Sequence, residues 1–501
     1  MQNNNTGRAA GVLCHISSLW GRYGIGSLGK EAYRFADFLK HAHVKFWQIL
    51  PLVQTGYGDS PYSSVCCNSG NPYFIDLEAL AEQGLLTADE LEECVLPEGD
   101  VSYRQLYDTR YQTLKLAFSR YDKENEEFKA FVEGGEFDAY ALFMSLCEKY
   151  DGSVLNFPAE YRAYGNEAVN NFRKEVYDTD YLFWQFLQFQ FIKQWDKLKA
   201  YVNSLGIKFI GDIPLYVAYD SADVWAHPEL FQLDEDMNPV RVAGVPPDYF
   251  CKTGQLWGNP LYDWEKMEED GYSWWIQRIK KSAELYDVIR IDHFRGLDRY
   301  YAIPADAETA ETGEWLNGPK AKLFLKVREK LGNVPMIAED LGFMDDDVEK
   351  LRLAAGFPGM KIVLFAFDGD PDNGYLPHNM PADSVAYTGT HDNSTALGML
   401  EEMTEEQFRQ YKRRLRAEMK QIGLVLPFVT RSETARALVA LTIASPAKLA
   451  VIPVQDLLGL DDAARMNVPS TVEGNWKYRL TQKPSRYHAG VLRKMITAFN
   501  R

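Results

Sequence analysis

The chain of 501 residues carries a net charge of −17, with 46% apolar and 25% charged residues, an ordinary balance for a globular protein that can bury a large core. This acidity, without a dense Lys/Arg stretch, argues against nucleic acid as a partner and leaves a neutral or small one. No window reaches eighteen consecutive apolar residues, which argues against a membrane span.

The opening MQNNNTGRAAGVLCH has no basic segment followed by an apolar core, so no secretory signal is expected. Cys14, Cys66, Cys67, Cys94, Cys147 and Cys251 follow neither a zinc spacing nor a disulfide framework. Free thiols in a cytoplasmic protein are the plain reading; a plastid location would require a transit peptide already removed. In chain order, short apolar runs predict strands at Gly11–His15, Phe46–Pro51, Lys208–Ile213, Asp287–Asp292, Pro335–Glu339, Met360–Phe365, Ser384–Thr390 and Lys448–Val454. Helical periodicity marks Lys30–Ala42, Ser273–Leu285, Ala321–Leu331, Asp345–Ala355, Ser432–Ile443 and His488–Phe499. Alternating strands and helices predict parallel βαβ units, and eight strands predict a closed (β/α)8 barrel of the α/β class formed by the whole chain, 1–501.

Two connections are too long for βα loops, which usually take about two to six residues. Approximately 52–180, after the second strand, reads as an inserted, mainly helical subdomain. It holds the capping box Thr87-Ala-Asp-Glu90 and helical runs near Arg104–Tyr121 and Phe137–Tyr150. Tyr181–Val202 then returns to the barrel as the helix before the third strand. Approximately 214–270, after the third strand, is rich in Pro, Gly and aromatics without clear periodicity and reads as an ordered loop subdomain over the cleft. The C-terminal stretch leaves no room for a separate β domain.

Four of the predicted strands stop on carboxylates: Asp212 in KFIGDIPLYV, Asp292 in YDVIRIDHFRG, Glu339 in PMIAEDLG and Asp392 in VAYTGTHDN. A buried unpaired charge is strongly disfavoured, so such ends predict a shared cleft at the C-terminal face of the barrel. Arg290 and Asp292 share a strand face, and the arginine keeps the acid ionised, as a nucleophile requires. Glu339 ends the next strand, within reach of the separation of about 5 Å expected of a retaining glycosidase. On that reading Asp292 attacks the anomeric carbon and Glu339 protonates the leaving oxygen. Asp392 approaches from the seventh strand to hold sugar hydroxyls, with His293 and His391 as further donors.

A divalent ion is the rival reading, since two histidines and four carboxylates could ligate one. No HxH or HExxH pattern supports it, and neither metal nor cofactor is expected. Asp340 points to the opposite face from Glu339 and reads as structural. The aromatic run Phe183, Trp184, Phe186, Phe189, Phe191 and Trp195 reads as core, whereas Tyr62 in GDSPYSS and Trp257 in GQLWGNPLY lie in Gly/Pro-rich loops and could stack on sugars.

The chain resembles the 4-α-glucanotransferases of the amylomaltase type (disproportionating enzymes, glycoside hydrolase family 77). The likeness runs from GVLCHISSLWGRYGIGSLG through GDSPYSS, GDIPLYV, PPDYFCKTGQLWGNPLYDW, RIDHFRG, IAEDLG and GTHDN to NVPSTVEGNWKYR. Four of these segments also look like the sequence regions of the wider α-amylase clan. The resemblance implies Asp292 as nucleophile, Glu339 as general acid/base and Asp392 as transition-state stabiliser. It implies Arg290, Asp212, His293 and His391 as support around subsite −1, and Tyr62, Asp248, Gln255 and Trp257 on substrate-contacting loops. The implied activity is transfer of α-1,4-glucan segments between maltooligosaccharides, starch or glycogen chains, with glucose as an acceptor. An α-amylase-like hydrolase would use the same acids, and a catalytically dead glucan-binding protein would keep the fold.

Overall fold

Eight short strands, buried on both faces, form the centre of the molecule. The computed structural model describes residues 7–56, 58–150, 152–247, 252–342, 344–471 and 473–501. Twelve strands are numbered in chain order: β1 Ala9–Leu13, β2 Phe46–Gln48, β3 Lys208–Ile213, β4 Arg241–Val245, β5 Gln255–Pro260, β6 Val288–Ile291, β7 Arg299–Pro304, β8 Glu314–Asn317, β9 Met336–Ala338, β10 Gly359–Ile362, β11 Ser384–Tyr387 and β12 Leu449–Pro453. β1, β2, β3, β6, β9, β10, β11 and β12 pair in parallel, in that order, and close into a barrel. Each of the eight expected strands overlaps one of them. Continuous burial along β11 and β12 matches their uninterrupted apolar sequences SVAY and LAVIP, the pattern of a parallel sheet covered on both sides.

Register places the chemistry. Asp212 on β3 lies opposite Arg290 on β6, and Ile291 lies opposite Ala338 on β9, so Asp292 and Glu339 leave adjacent strands at the same level. Gly211 lets this happen, because a Cβ there would meet the Tyr286 ring at 2.1 Å. The strands end earlier than their sequences predict. β2 stops at Gln48, and β10 passes into a 3₁₀ turn over Val363–Phe365. Beyond those points the chain leaves the ladder to form the rim.

Between β2 and β3 the chain forms helices Leu77–Glu82, Ala88–Glu93, Tyr103–Ser119, Glu126–Glu133, Asp138–Lys149 and Glu167–Val176, and then Leu182–Ser204 packs on the barrel. Thr87 and Glu90 make the reciprocal bonds of the capping box. The aromatic run is core: Trp195 is fully buried with its ring 4.7 Å from Phe209 on β3. The other helices fall close to their expected limits, including Ser273–Leu285 and Ala321–Leu331. Asp345 caps Asp346–Ala355 by accepting from the amides of Asp347 and Val348.

One expectation needs correction. The stretch 214–270 is not loop throughout: β4 and β5 lie in it and join β7 and β8 in a four-stranded antiparallel sheet of order β5-β4-β7-β8. The segments RVAGV and QLWGNP are short and interrupted by Gly or Pro, and β4 pairs with β5 through a register shift between Val242 and Gly244. Its other partner, β7, lies some sixty residues downstream, beyond the reach of local periodicity. Among the described residues no helix is long and apolar enough to cross a membrane. Cys14, Cys66, Cys67, Cys94 and Cys147 are free thiols, and Cys251 lies outside the described residues.

Candidate active site

Three carboxylates and one guanidinium meet where β3, β6 and β9 end. Arg290 Nη1 lies 2.6 Å from Asp212 Oδ2 and 2.9 Å from Asp292 Oδ1. Both Arg290 and Asp212 are almost fully buried, whereas the Asp292 side chain is partly open. Removing one partner of such a buried pair typically costs about 3–5 kcal/mol, so Asp212 and Arg290 stand or fall together. Burial works against the Arg290 charge, but Asp212 and Asp292 more than restore it and hold the group well above the ordinary arginine range. Tyr62 Oη donates to Asp212 Oδ2 at 2.8 Å, so this carboxylate is anchored from two sides.

Glu339 is held by backbone. Its Oε2 accepts from the His293 amide at 2.8 Å and its Oε1 from the Leu341 amide at 3.1 Å. His293 reaches that donor position with φ 49°, a left-handed conformation uncommon for a side-chain-bearing residue. Burial raises Glu339 to about 8; Arg290 opposes the shift and Asp292 reinforces it. A neutral Glu339 one strand from an Arg-paired Asp292 is the division of labour that acid/base chemistry needs. Burial also lowers His293, to about 4, so its imidazole is neutral.

Asp392 follows β11. Its Oδ1 accepts from Asn467 Nδ2 at 2.6 Å, and its Oδ2 lies 3.3 Å from His391 Nε2. His391 is buried and pushed below the usual histidine range by that burial. Tyr62 stacks on its ring at 5.2 Å and 11°. Tyr62 is therefore half committed: one face covers His391 and its hydroxyl holds Asp212.

The small sheet reaches this site through Trp257. Trp257, on β5, is 37% exposed and meets His293 edge-on at 4.8 Å, while its Nε1 donates to Gln255 Oε1 at 3.1 Å. The structure thus brings together Asp212, Arg290, Asp292, His293, Glu339, His391, Asp392, Tyr62, Gln255 and Trp257; Asp248 falls outside the described residues. Asp340 faces away, as expected, accepting from the Met360 amide and lying 3.3 Å from Arg352. Sequence reasoning assigned no role to Arg465, Asn467 and Trp476, which contact the loop after β11. The segment NVPSTVEGNWKYR contains two of them, but it has no strand or helix period to place it. Among the described residues no group of three or more His, Cys, Asp or Glu side chains is arranged to hold a metal ion.

A family model described as 4-alpha-glucanotransferase matches residues 14–484. The chain belongs to this family. The 4-alpha-glucanotransferase of Thermus thermophilus is 46% identical over 505 residues, covering 99% of each chain. That of Streptococcus pneumoniae is 45% identical over 483 residues, covering 95% of this chain and 94% of its own. Among solved structures, the amylomaltase from Streptococcus agalactiae in complex with acarbose matches with a TM-score of 0.93 at 37% identity, covering 99% of both chains. The family match thus starts just after β1, takes in the other seven barrel strands and the small sheet, and ends just before the C-terminal helix Arg486–Ala498.

Proposed function

We propose that this 4-alpha-glucanotransferase moves α-1,4-glucan segments from a donor chain to the 4-hydroxyl of another glucan or of glucose by retaining double displacement. Asp292 attacks the anomeric carbon as the C1–O4 bond breaks, and Glu339 passes its proton to the departing O4. Glu339, now ionised, takes the proton of an incoming 4-hydroxyl, which attacks C1 and releases Asp292. Asp392 and His391 hold hydroxyls of the sugar being transferred and favour its distorted ring, and Arg290 and Asp212 fix the nucleophile. Trp257, Gln255 and Asp248 contact the glucan beside it. Residues 1–501 act as one catalytic barrel, with about 52–180 and 214–270 as insertions that shape the cleft.

One observation carries this reading: Arg290 grips Asp292 while the amide of the very next residue, His293, grips Glu339. A salt-bridged carboxylate and a buried, protonated one are thereby fixed side by side. The acarbose bound by the Streptococcus agalactiae relative supports an oligosaccharide ligand. Incubation with maltotriose alone tests the function. Transfer yields glucose and a ladder of longer maltodextrins with a constant number of reducing ends. A reducing-end count that climbs without longer chains would identify a hydrolase instead.

A further inference from the structure

A segment that belongs to neither sheet holds the Asp392 loop. Arg465 Nη2 donates to the main-chain carbonyl of Asp392 at 2.6 Å, its Nη1 to Ser394 Oγ at 3.0 Å, and its Nε to the Asn467 carbonyl at 2.8 Å. The Asn467 amide donates to the His391 carbonyl at 3.1 Å, and its side chain to Asp392 Oδ1 at 2.6 Å. Nine residues on, Trp476 packs 5.9 Å from His391 and 5.7 Å from Tyr62. It does so with φ 64°, its amide on the Met466 carbonyl at 2.7 Å and its carbonyl accepting from Tyr103 Oη at 3.0 Å. Arg479, buried, closes the segment with bonds to the carbonyls of Gly21, Pro97 and Gly99.

The Asp392 side chain is 38% exposed, so packing alone does not fix its rotamer. Its Oδ1 has one strong donor, and that donor is anchored to the main chain of the residue before Asp392. Carboxylate and amide therefore move as one body. We propose that Asn467 is a positioning residue: its side-chain N–H sets the direction of the Asp392 carboxylate, and the strap from Arg465 to Arg479 ties that direction to Tyr62 and to the helices after β2. This inference rests on the reading of Asp392 as a carboxylate of the reaction.

The test compares Asn467→Ala, Asn467→Asp and Asp392→Asn in the full chain, with kcat and KM for maltotriose between pH 5 and 8 and thermal unfolding on the same preparations. Loss of a hydrogen bond to a charged group predicts a kcat about 10- to 100-fold lower for Asn467→Ala, with KM changed less than about threefold. Asn467→Asp keeps the shape but sets carboxylate against carboxylate, so at pH 7 it falls below the alanine variant. As pH drops toward 5 the introduced carboxyl shares a proton and becomes a donor again, so its deficit relative to the unaltered chain shrinks. The other charged and titratable groups around the pair, namely His391, Arg465, Tyr62, Arg290 and Asp292, are the same in every variant. A residue that only fills space would tolerate the isosteric change and show no such pH dependence. An Asn467→Asp enzyme equal to the unaltered one, or impaired by the same factor at every pH, overturns the inference while an inactive Asp392→Asn leaves the catalytic reading standing. An Asp392→Asn enzyme with full turnover overturns both.

Discussion

Asp292 and Glu339 leave neighbouring strands but meet opposite surroundings, and the difference predicts their behaviour. Asp292 is paired with Arg290 and partly open, so Asp292→Asn removes the proposed nucleophile without removing a packing group. Turnover should fall below about 1% of the unaltered chain while the unfolding temperature stays put, because no other carboxylate can replace it at C1. Residual activity above that level, with deamidation excluded, would count against the assignment. In the proposed mechanism Glu339 is the proton donor and works only when protonated. Burial raises it to about 8, so cleavage of maltotriose should hold through neutral pH and decline as pH rises through that value. Glu339→Gln should slow maltotriose by orders of magnitude yet spare the single-turnover release of fluoride from a maltosyl fluoride, whose leaving group needs no proton. Equal slowing of both donors would show that Glu339 is not the acid. Fluoride release should show no Glu339-linked decline at high pH in either the variant or the unaltered chain.

At the level of elements, the barrel was readable and the small sheet was not. β3, β6, β9 and β11 each announce themselves as an apolar run stopped by an acid, and the cost of burying a charge is what makes that pattern informative. The ends of those strands pass into loops, so Asp212, Asp292, Glu339 and Asp392 could be named as cleft residues from sequence. β4 and β5 carry no such mark: β7, which joins β4 to the rest of the sheet, is distant in sequence, and the residues of β4 and β5 include Gly244, Gly258 and Pro260. The part of the site that depends on long-range contact, namely Asn467 on Asp392 and Trp476 on His391, was invisible for the same reason. The family resemblance supplied Trp257 and Gln255, which local pattern placed only in a loop. The sheet's position gives Trp257 a measurable job. Its ring is partly exposed and braced against His293, so Trp257→Ala should raise KM for maltotriose several-fold while moving the unfolding temperature by no more than about 2 °C, the range of a surface substitution. A large loss of stability with an unchanged KM would make the ring structural instead.

The molecule as a whole is acidic, and some of its acid is buried, which ties stability to pH. With a net charge of −17 at neutral pH, self-repulsion grows as pH rises. Asp456, beyond β12, adds a specific contribution. It is buried, and burial raises it to about 6, although its Oδ1 accepts from the Ala396 amide at 2.7 Å. In the unfolded chain an aspartate ionises near 3.9, so between about pH 4 and 6 the folded state binds the extra proton. Stability from this group is therefore complete below that window and is lost as pH rises through about 6. Two pH units at 1.36 kcal/mol each make the loss about 2–3 kcal/mol. Asn at this position accepts from Ala396 without ever ionising. Asp456→Asn should thus match the unaltered chain near pH 4 and exceed it by about 2–3 kcal/mol above pH 7. Urea unfolding at pH 4.5, 6 and 7.5 reads the difference directly. Parallel stability curves across that range would show that Asp456 ionises alike in both states, and the pH dependence would then rest on net charge alone.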